Sequence, residues 1–528
     1  MMDEELEEKT VNRAAREGDI LSLKTLLENG ADLDCRDNRG WYPIHEAAFG
    51  GHTECLQTLL NHENCCVNWE GFQKETPLYV AVKACNESCV NVLLSHQADP
   101  NILNHMEESP LYQAVLQGSM NMVEKLLRHG GNADQKQYTG DAPLHVAASN
   151  GNLGIVKLLL EYGAIQDTVS DFNMTPLFLS ARFGHAHVLS YLIGSAKAAG
   201  QGYLVDKQAE DGATPLYLSA QNGNSDCVQI LLKEGADPHF KTSEKDCEAM
   251  PLHAAVQFAH KECVGLLCDV TDIDLCCKCA VGTPLKFAIN DQNNGDCLKQ
   301  LIERGYDINS QSVTYHGLEN SIFTRPFQKS CTEFTFLTWT LLSNYHGSTA
   351  YPNMVKILLD SGAHVNSTKD TELPPLLAAI IRHVGKDILE LLITYGADVE
   401  VHHPSVRIID NMSMALKLAL MVKNLTAVRV LLEHNVTPPN PQYSQGRERE
   451  IMMIFWHRCY QHTGETTSGK ARSLWSPKGL KHLSRCKIRR SLGTTKFKER
   501  LSQLSTCQPP ILPHLMMDYL EYKYELGE

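Results

Sequence analysis

The sequence predicts an all-α solenoid of about twelve stacked helix pairs with short hairpin loops, followed by a small helical module near the C-terminus. Three observations predict it. A proline-led string recurs as GWYPIHEAAFGGH from Gly40, ETPLYVAV from Glu75, ESPLYQAVLQG from Glu108 and DAPLHVAASNG from Asp141. It returns as MTPLFLSARFGH from Met174, ATPLYLSAQNG from Ala213, MPLHAAVQFAH from Met250 and GTPLKFAI from Gly282. Its prolines, Pro43, Pro77, Pro110, Pro143, Pro176, Pro215, Pro251 and Pro284, are spaced 34, 33, 33, 33, 39, 36 and 33 residues apart. A Leu-rich run ending in glycine follows, as in IVKLLLEYGA from Ile155. A fixed period of this length marks units that cannot bury their apolar faces alone and must stack on neighbours.

Each element has a physical reason. Proline opens the first helix, where its missing N–H leaves no bond unmade. Thr76, Thr175 and Thr214 precede it and suit the N-cap. Ala47–Ala48 and Ala147–Ala148 let two helices approach closely, and Gly151, Gly184 and Gly223 follow in the turn, where a positive φ is required. Gly163 can close the second helix as a left-handed C-cap. AAREGDILSLKTLLENGAD from Ala14 reads as a first unit with a polar outward side. After Pro284 the pattern thins, returning as MVKILLDSGAHVN from Met354, PPLLAAI from Pro374 with ILELLITYGADVE from Ile388, and MALKLALMVKNLTAVRVLLEHN from Met414. The solenoid is therefore assigned to 1–436, with an irregular unit around 310–366. The period and the T-P-L-H-x-A pattern resemble the ankyrin repeat.

Bulk properties narrow the class. At 528 residues, 43% apolar and 21% charged, the chain is too long for one core and is not disordered in composition. The acidic MMDEELEEKT start has no apolar h-region, arguing against a secretory signal. No stretch approaches the roughly 18 apolar residues of a membrane helix, so no membrane insertion is expected. The eighteen cysteines are scattered, with Cys55, Cys227 and Cys263 where a helix wants a small apolar side chain. With no export signal they read as reduced thiols of a cytoplasmic protein, with nuclear access open. Cys276, Cys277 and Cys279, with Cys263 and Cys268 upstream, supply one CxxC pair and no second knuckle. Structural cysteine is preferred there to zinc, and no cofactor is expected.

In such an architecture, residues just before the proline, and those between the Ala pair and the turn glycine, face the open side. They are Trp41, Phe49, Tyr138, Phe172, Arg182, Phe183, Gln221 and Asn222, the candidate target-binding set. Aromatics and Arg are the usual anchors of protein interfaces. The alternative for each is that it covers a seam between units. The segments GSAKAAGQGYLVDKQ from Gly194 and 311–352 are expected to add loops to one face. His45, His145 and His253 are expected to bond between neighbouring units rather than to catalyse.

The segment 437–474 is a Pro-rich, then Ser/Thr/Gly-rich connector, with IMMIFWHRCY from Ile451 as a short helix in it. In the 475–528 module, Ser476–Pro477 starts a helix with Leu480, Leu483, Ile488 and Leu492 on one apolar side. A piece this small is completed by a partner, as in helix-in-groove recognition. This order of parts resembles the ankyrin repeat and SOCS box family over nearly the whole chain, and the DNRGWYPIHEAA string from Asp37 resembles its member-three type. The resemblance implies a box that docks elongin C with elongin B, then cullin-5 with its RING-box subunit. Leu480 falls at the family's leading Leu and Ile488 at its aliphatic position, with Leu483 between them, while Ser484 stands where the family has Cys. The cullin motif, Leu-Pro-hydrophobic-Pro, falls on Pro510, Ile511, Leu512 and Pro513, of which the last two match.

Residues 470–500 carry eleven Lys/Arg and one acid, a local +10 in a chain of −14, so the remainder carries −24. A nucleic-acid patch is the alternative to a basic folded module; the apolar residues at helical spacing favour the module, and no nucleic acid is expected. No Walker loop, dinucleotide fingerprint, HExxH or GxSxG occurs in a fitting context, so a non-catalytic adaptor is expected. Two functions remain: a substrate receptor of a cullin–RING ubiquitin ligase bringing an unidentified protein target to ubiquitination, or a scaffold whose drifted box engages no ligase.

Overall fold

The computed structural model of the chain describes residues 10–243, 248–279, 281–289, 294–310, 334–342, 352–368, 372–400, 413–422 and 424–434. They form two compact units, 1–287 and 288–528, each taken by itself below. The C-terminal module, its connector and most of 310–366 lie outside the described residues.

The first unit is a row of helix pairs. Val11–Glu17 pairs with Ile20–Glu28, Pro43–Gly50 with Thr53–Leu60, Pro77–Lys83 with Glu87–Ser95, and Pro110–Leu116 with Met120–Arg128. Pro143–Ser149 pairs with Leu153–Glu161, Pro176–Arg182 with Ala186–Ala198, Pro215–Gln221 with Ser225–Lys233, and Pro251–Gln257 with Lys261–Cys268. The first helices stack side by side in one layer and the second helices in another. The residue after each proline anchors the stack: Ile44, Leu78, Leu111, Leu144, Leu177, Leu216 and Leu252 are all at most 1% exposed. Burying each stabilises the array by about 1.5–3 kcal/mol. Ala47, Ala48, Ala147 and Ala148 are fully buried, as their close-approach role requires.

Helix starts use two alternative caps. Thr76, Ser109, Thr175 and Thr214 accept the backbone N–H of the residue three on, at 3.0–3.2 Å. Where Tyr42, Ala142 or Met250 precedes the proline, a histidine three residues on reverses the bond. The backbone N–H of Tyr42, Ala142 and Met250 donates to Nδ1 of His45, His145 and His253 at 3.2, 3.0 and 3.1 Å. In the turn, Gly151 has φ +73°, and an added Cβ would stand 2.5 Å from His185 Nδ1. Gly163 (φ 88°) ends its helix with Ala164 N–H on Leu159 O, the left-handed cap expected.

The segment from Gly194 does not form the loop expected. It lengthens the second helix to Ala186–Ala198 and adds a 3-10 turn, Gly202–Asp206. Leu192, Ile193 and Ala196 continue the buried stripe, and Leu204 and Val205 tuck under it, so burial outweighs the loop-like glycines. After Lys261–Cys268 come two short helices, Ile273–Cys277 and Leu285–Ala288.

The second unit contains Gly295–Glu303, then Phe336–Leu342 with Pro352–Asp360, Pro375–Ile381 with Lys386–Thr394, and Met414–Met421 with Leu425–Glu433. Among the described residues the number of helices is roughly consistent with the twelve or so pairs expected. Phe336–Leu342 fills the irregular unit: Thr335 caps it, and the Thr338 hydroxyl donates to Leu373 O at 3.1 Å. Among the described residues no helix is long and apolar enough to cross a membrane.

Candidate functional site

The open face of the first unit is built on its hairpins. Each hairpin closes on itself: Asn104 N–H bonds Glu108 O at 3.0 Å, Gln137 bonds Asp141 at 3.0 Å, Ser170 bonds Met174 at 3.0 Å, and Ala209 bonds Ala213 at 2.9 Å. Each tip then bonds the next through backbone. Phe72 N–H donates to Arg39 O at 3.1 Å, His105 to Gln73 at 2.8 Å, Tyr138 to Met106 at 3.4 Å, Asp171 to Thr139 at 3.3 Å, and Glu210 to Phe172 at 3.1 Å. The tips thus form one continuous row. Gly40 and Gly140 have φ +75° and +76°, and a Cβ on either would come within 2.7 Å of the next tip's backbone nitrogen.

The row presents apolar side chains to solvent. Tyr138 and Phe172 are 57% and 58% exposed, and Phe49 and Phe183, at the ends of first helices, are 47% and 53% exposed. Arg182 is exposed beside Phe183, its guanidinium 5.5 Å from that ring. Gln221 is half-buried, and exposed Asn222 donates Nδ2 to Arg182 O at 2.8 Å, tying two units.

Trp41 departs from the expectation. It is 6% exposed, donates Nε1 to Glu75 Oε2 at 3.0 Å, and lies under Arg39, whose Cζ is 3.8 Å from the ring. Arg39 is in turn held by Asp37 and by buried Glu46. Trp41 therefore closes a seam between two units, with Phe49 tilted against its outer edge at 5.4 Å. Conversely, Phe72 (64% exposed), Met106 (43%), Leu116 (48%) and Phe258 (48%) share the open face but were not singled out in the sequence. The 33-residue period carries the signal: Phe72 lies five residues before its proline, as Tyr138 does, and Phe258 seven after, as Phe183 does.

The three histidines are structural. A backbone N–H can only donate, so Nδ1 of each is unprotonated. Nε2 then donates to the next unit, to Glu75 O at 3.0 Å from His45, Met174 O at 3.0 Å from His145, and Gly282 O at 2.8 Å from His253. Burial lowers His45 and His253 to about 4 and lowers His145 too. They are neutral braces, bonding between units as expected. Cys55, Cys227 and Cys263 are buried in second helices. Buried Cys276 packs its Sγ 3.7 Å from His253 Nε2. Among the described residues, no three His, Cys, Asp or Glu are grouped to hold a metal.

Comparison with known proteins joins the two ends of the chain. The ankyrin-repeat model matches 11–104, 97–170, 164–242 and 239–312, and the SOCS box model matches 476–521. The chain belongs to the ankyrin repeat and SOCS box family. The human ankyrin repeat and SOCS box protein 3 is 42% identical over 94 residues, 17% of this chain and 18% of the relative. The rat ankyrin repeat and SOCS box protein 2 is 35% identical over 94 residues, covering 18% of this chain and 15% of the relative. The chain is thus matched over less than a fifth of the length of these curated relatives. Leu480, Leu483, Ser484 and Ile488, and Pro510, Ile511, Leu512 and Pro513, all lie outside the described residues and inside the SOCS box match.

Proposed function

We propose that this chain is the substrate-recognition subunit of an elongin B/C–cullin-5 RING ubiquitin ligase. The observation that carries the reading is the coexistence, in one chain, of a repeat array with an open aromatic tip row and a SOCS box match over 476–521. In this reading the tips and first-helix ends hold a target protein while the box recruits the ligase. Leu480 and Ile488 enter elongin C beside Leu483, and Pro510–Pro513 meets cullin-5. The chain is a non-catalytic adaptor working in the cytoplasm. Its contribution is proximity, raising the effective concentration of target lysines beside the charged ubiquitin carrier.

The test is co-purification of elongin B/C from cells with wild type and with Leu480→Ala. The reading expects elongin with the first and not the second, and its absence from both would overturn it. A second reading, a scaffold without a ligase, is favoured by Ser484 at the family's Cys position and by Pro510–Ile511 in the cullin motif. A hydroxyl in place of a buried thiol weakens docking unless it finds a partner. Elongin recovered without cullin-5 would place the defect at Pro510–Pro513.

A further inference from the structure

The open face carries a charge pattern that the repeat architecture does not require. In the tips 104–109, 137–142, 170–175 and 209–214 there are six acids, Glu107, Glu108, Asp141, Asp171, Glu210 and Asp211, and no Lys or Arg. His105 is the sole ionisable base among them. Glu108 and Asp141 are tied within their own unit or to its neighbour: Glu108 accepts the Tyr79 hydroxyl at 2.6 Å, and Asp141 accepts the Thr139 hydroxyl at 2.9 Å. Glu107, Asp171, Glu210 and Asp211 are exposed and have no ion-pair partner among the described residues. Between them stand the exposed Met106, Tyr138 and Phe172. The preceding tips differ, since Arg39 and Lys74 are there and Arg39 is engaged by Asp37 and Glu46.

Resting on the reading that this face holds the ligase's target, we infer that its occupant is an extended basic segment, with Lys or Arg at about every third residue and apolar side chains between them. Charge complementarity selects the sign, and the exposed rings supply anchors that a purely ionic partner would not use. Spacing follows from the backbone. Each hairpin is two bonded arms, and each tip bonds the next, so one repeat advances by two strand spacings of about 4.8 Å, or roughly 10 Å. An extended chain of polyproline II type advances about 3.1 Å per residue with three residues per turn, so every third side chain returns to the same side, about one per tip. Free acids stand at three of the four tips, Glu107, Asp171 and Glu210–Asp211, with Tyr138 at the intervening one, so basic residues are read at multiples of that interval. A helix, at about 1.5 Å per residue, would meet the same tips only with charges about seven residues apart, so the every-third spacing is specific to the extended form.

The experiment uses the full chain and a fluorescent peptide of about twelve residues carrying Lys at every third position with Leu and Phe between. Anisotropy titration is repeated with a peptide of the same composition whose lysines are clustered at one end, and with one carrying Glu for Lys. The spaced basic peptide is expected to bind best and to tighten as salt is lowered. The triple variant Glu107→Gln, Asp171→Asn, Glu210→Gln should weaken it about tenfold. Phe172→Ala should weaken it too, with the variants' far-UV spectra unchanged because all these side chains are exposed. Equal binding of the acidic or clustered peptide, unchanged affinity in the triple variant, or no binding of the spaced peptide at low salt would overturn the inference. Elongin B/C retention is read on the same preparations. Peptide binding without elongin removes the ligase and leaves this inference standing, and elongin without peptide binding does the reverse.

Discussion

Acidification from pH 7 to pH 5 should loosen the first unit through its buried histidines. In the unfolded chain an imidazole titrates near 6.5, whereas burial holds His45 and His253 at about 4 in the fold. A lowered native value means the unfolded state takes up protons first. The stabilisation is thus fully present above pH 6.5 and lost as the pH falls toward 4. At pH 5 each unfolded imidazole is almost fully protonated while each native one is almost neutral, a loss of about 2 kcal/mol per histidine and about 4 kcal/mol for the pair. His145 acts in the same direction. Protonation also removes the acceptor that Nδ1 offers to the backbone N–H of Tyr42 and Met250, so the loss is local to two helix starts. The assay is urea unfolding of the full chain at pH 7, 6 and 5, followed by far-UV circular dichroism. Amide exchange is read on peptides covering 43–50 and 251–257. His45→Gln with His253→Gln should be less stable at pH 7 yet show a flatter pH dependence. An identical slope in wild type and double variant would refute the reasoning.

Other substitutions separate seam from surface. Trp41→Ala should cost about 3–5 kcal/mol in urea unfolding, because the ring is buried and bonded to Glu75. Phe172→Ala should stay within about 0.5 kcal/mol of wild type, its ring being mostly in solvent. Thr175→Ala should cost about 1 kcal/mol by leaving Phe178 N–H without its cap, seen as a lower thermal midpoint. Gly151→Ala should cost about 1–2 kcal/mol in the same melt, from the left-handed backbone alone, with the encroachment on His185 adding to it.

Most of the fold was legible because the period forces every repeat to solve one packing problem with the same few residues. The prolines, Thr76, Thr175, Thr214 and the turn glycines took their expected places. So did the brace role of His45, His145 and His253, although the reciprocal use of Thr and His as caps emerged only from the hydrogen bonds. The face was less legible. Trp41 and Tyr138 lie in comparable pre-proline stretches, but only Trp41 had Glu75 and Arg39 within reach to draw it into a seam. Phe72 and Phe258 carried a positional signal that shows only when repeats are compared column by column. The segment from Gly194 reads as a loop by its glycines, yet Ile193 and Ala196 extend a buried stripe that decides for helix.

The most direct test of the receptor account is reconstitution of the purified full chain with recombinant elongin B/C, read by size exclusion with light scattering. Wild type and a Tyr138→Ala, Phe172→Ala variant should each form a stoichiometric complex, because target face and ligase box are separate parts of the chain. Leu480→Ala should elute alone. Failure of the wild-type chain to bind, or undiminished binding by Leu480→Ala, would contradict the account.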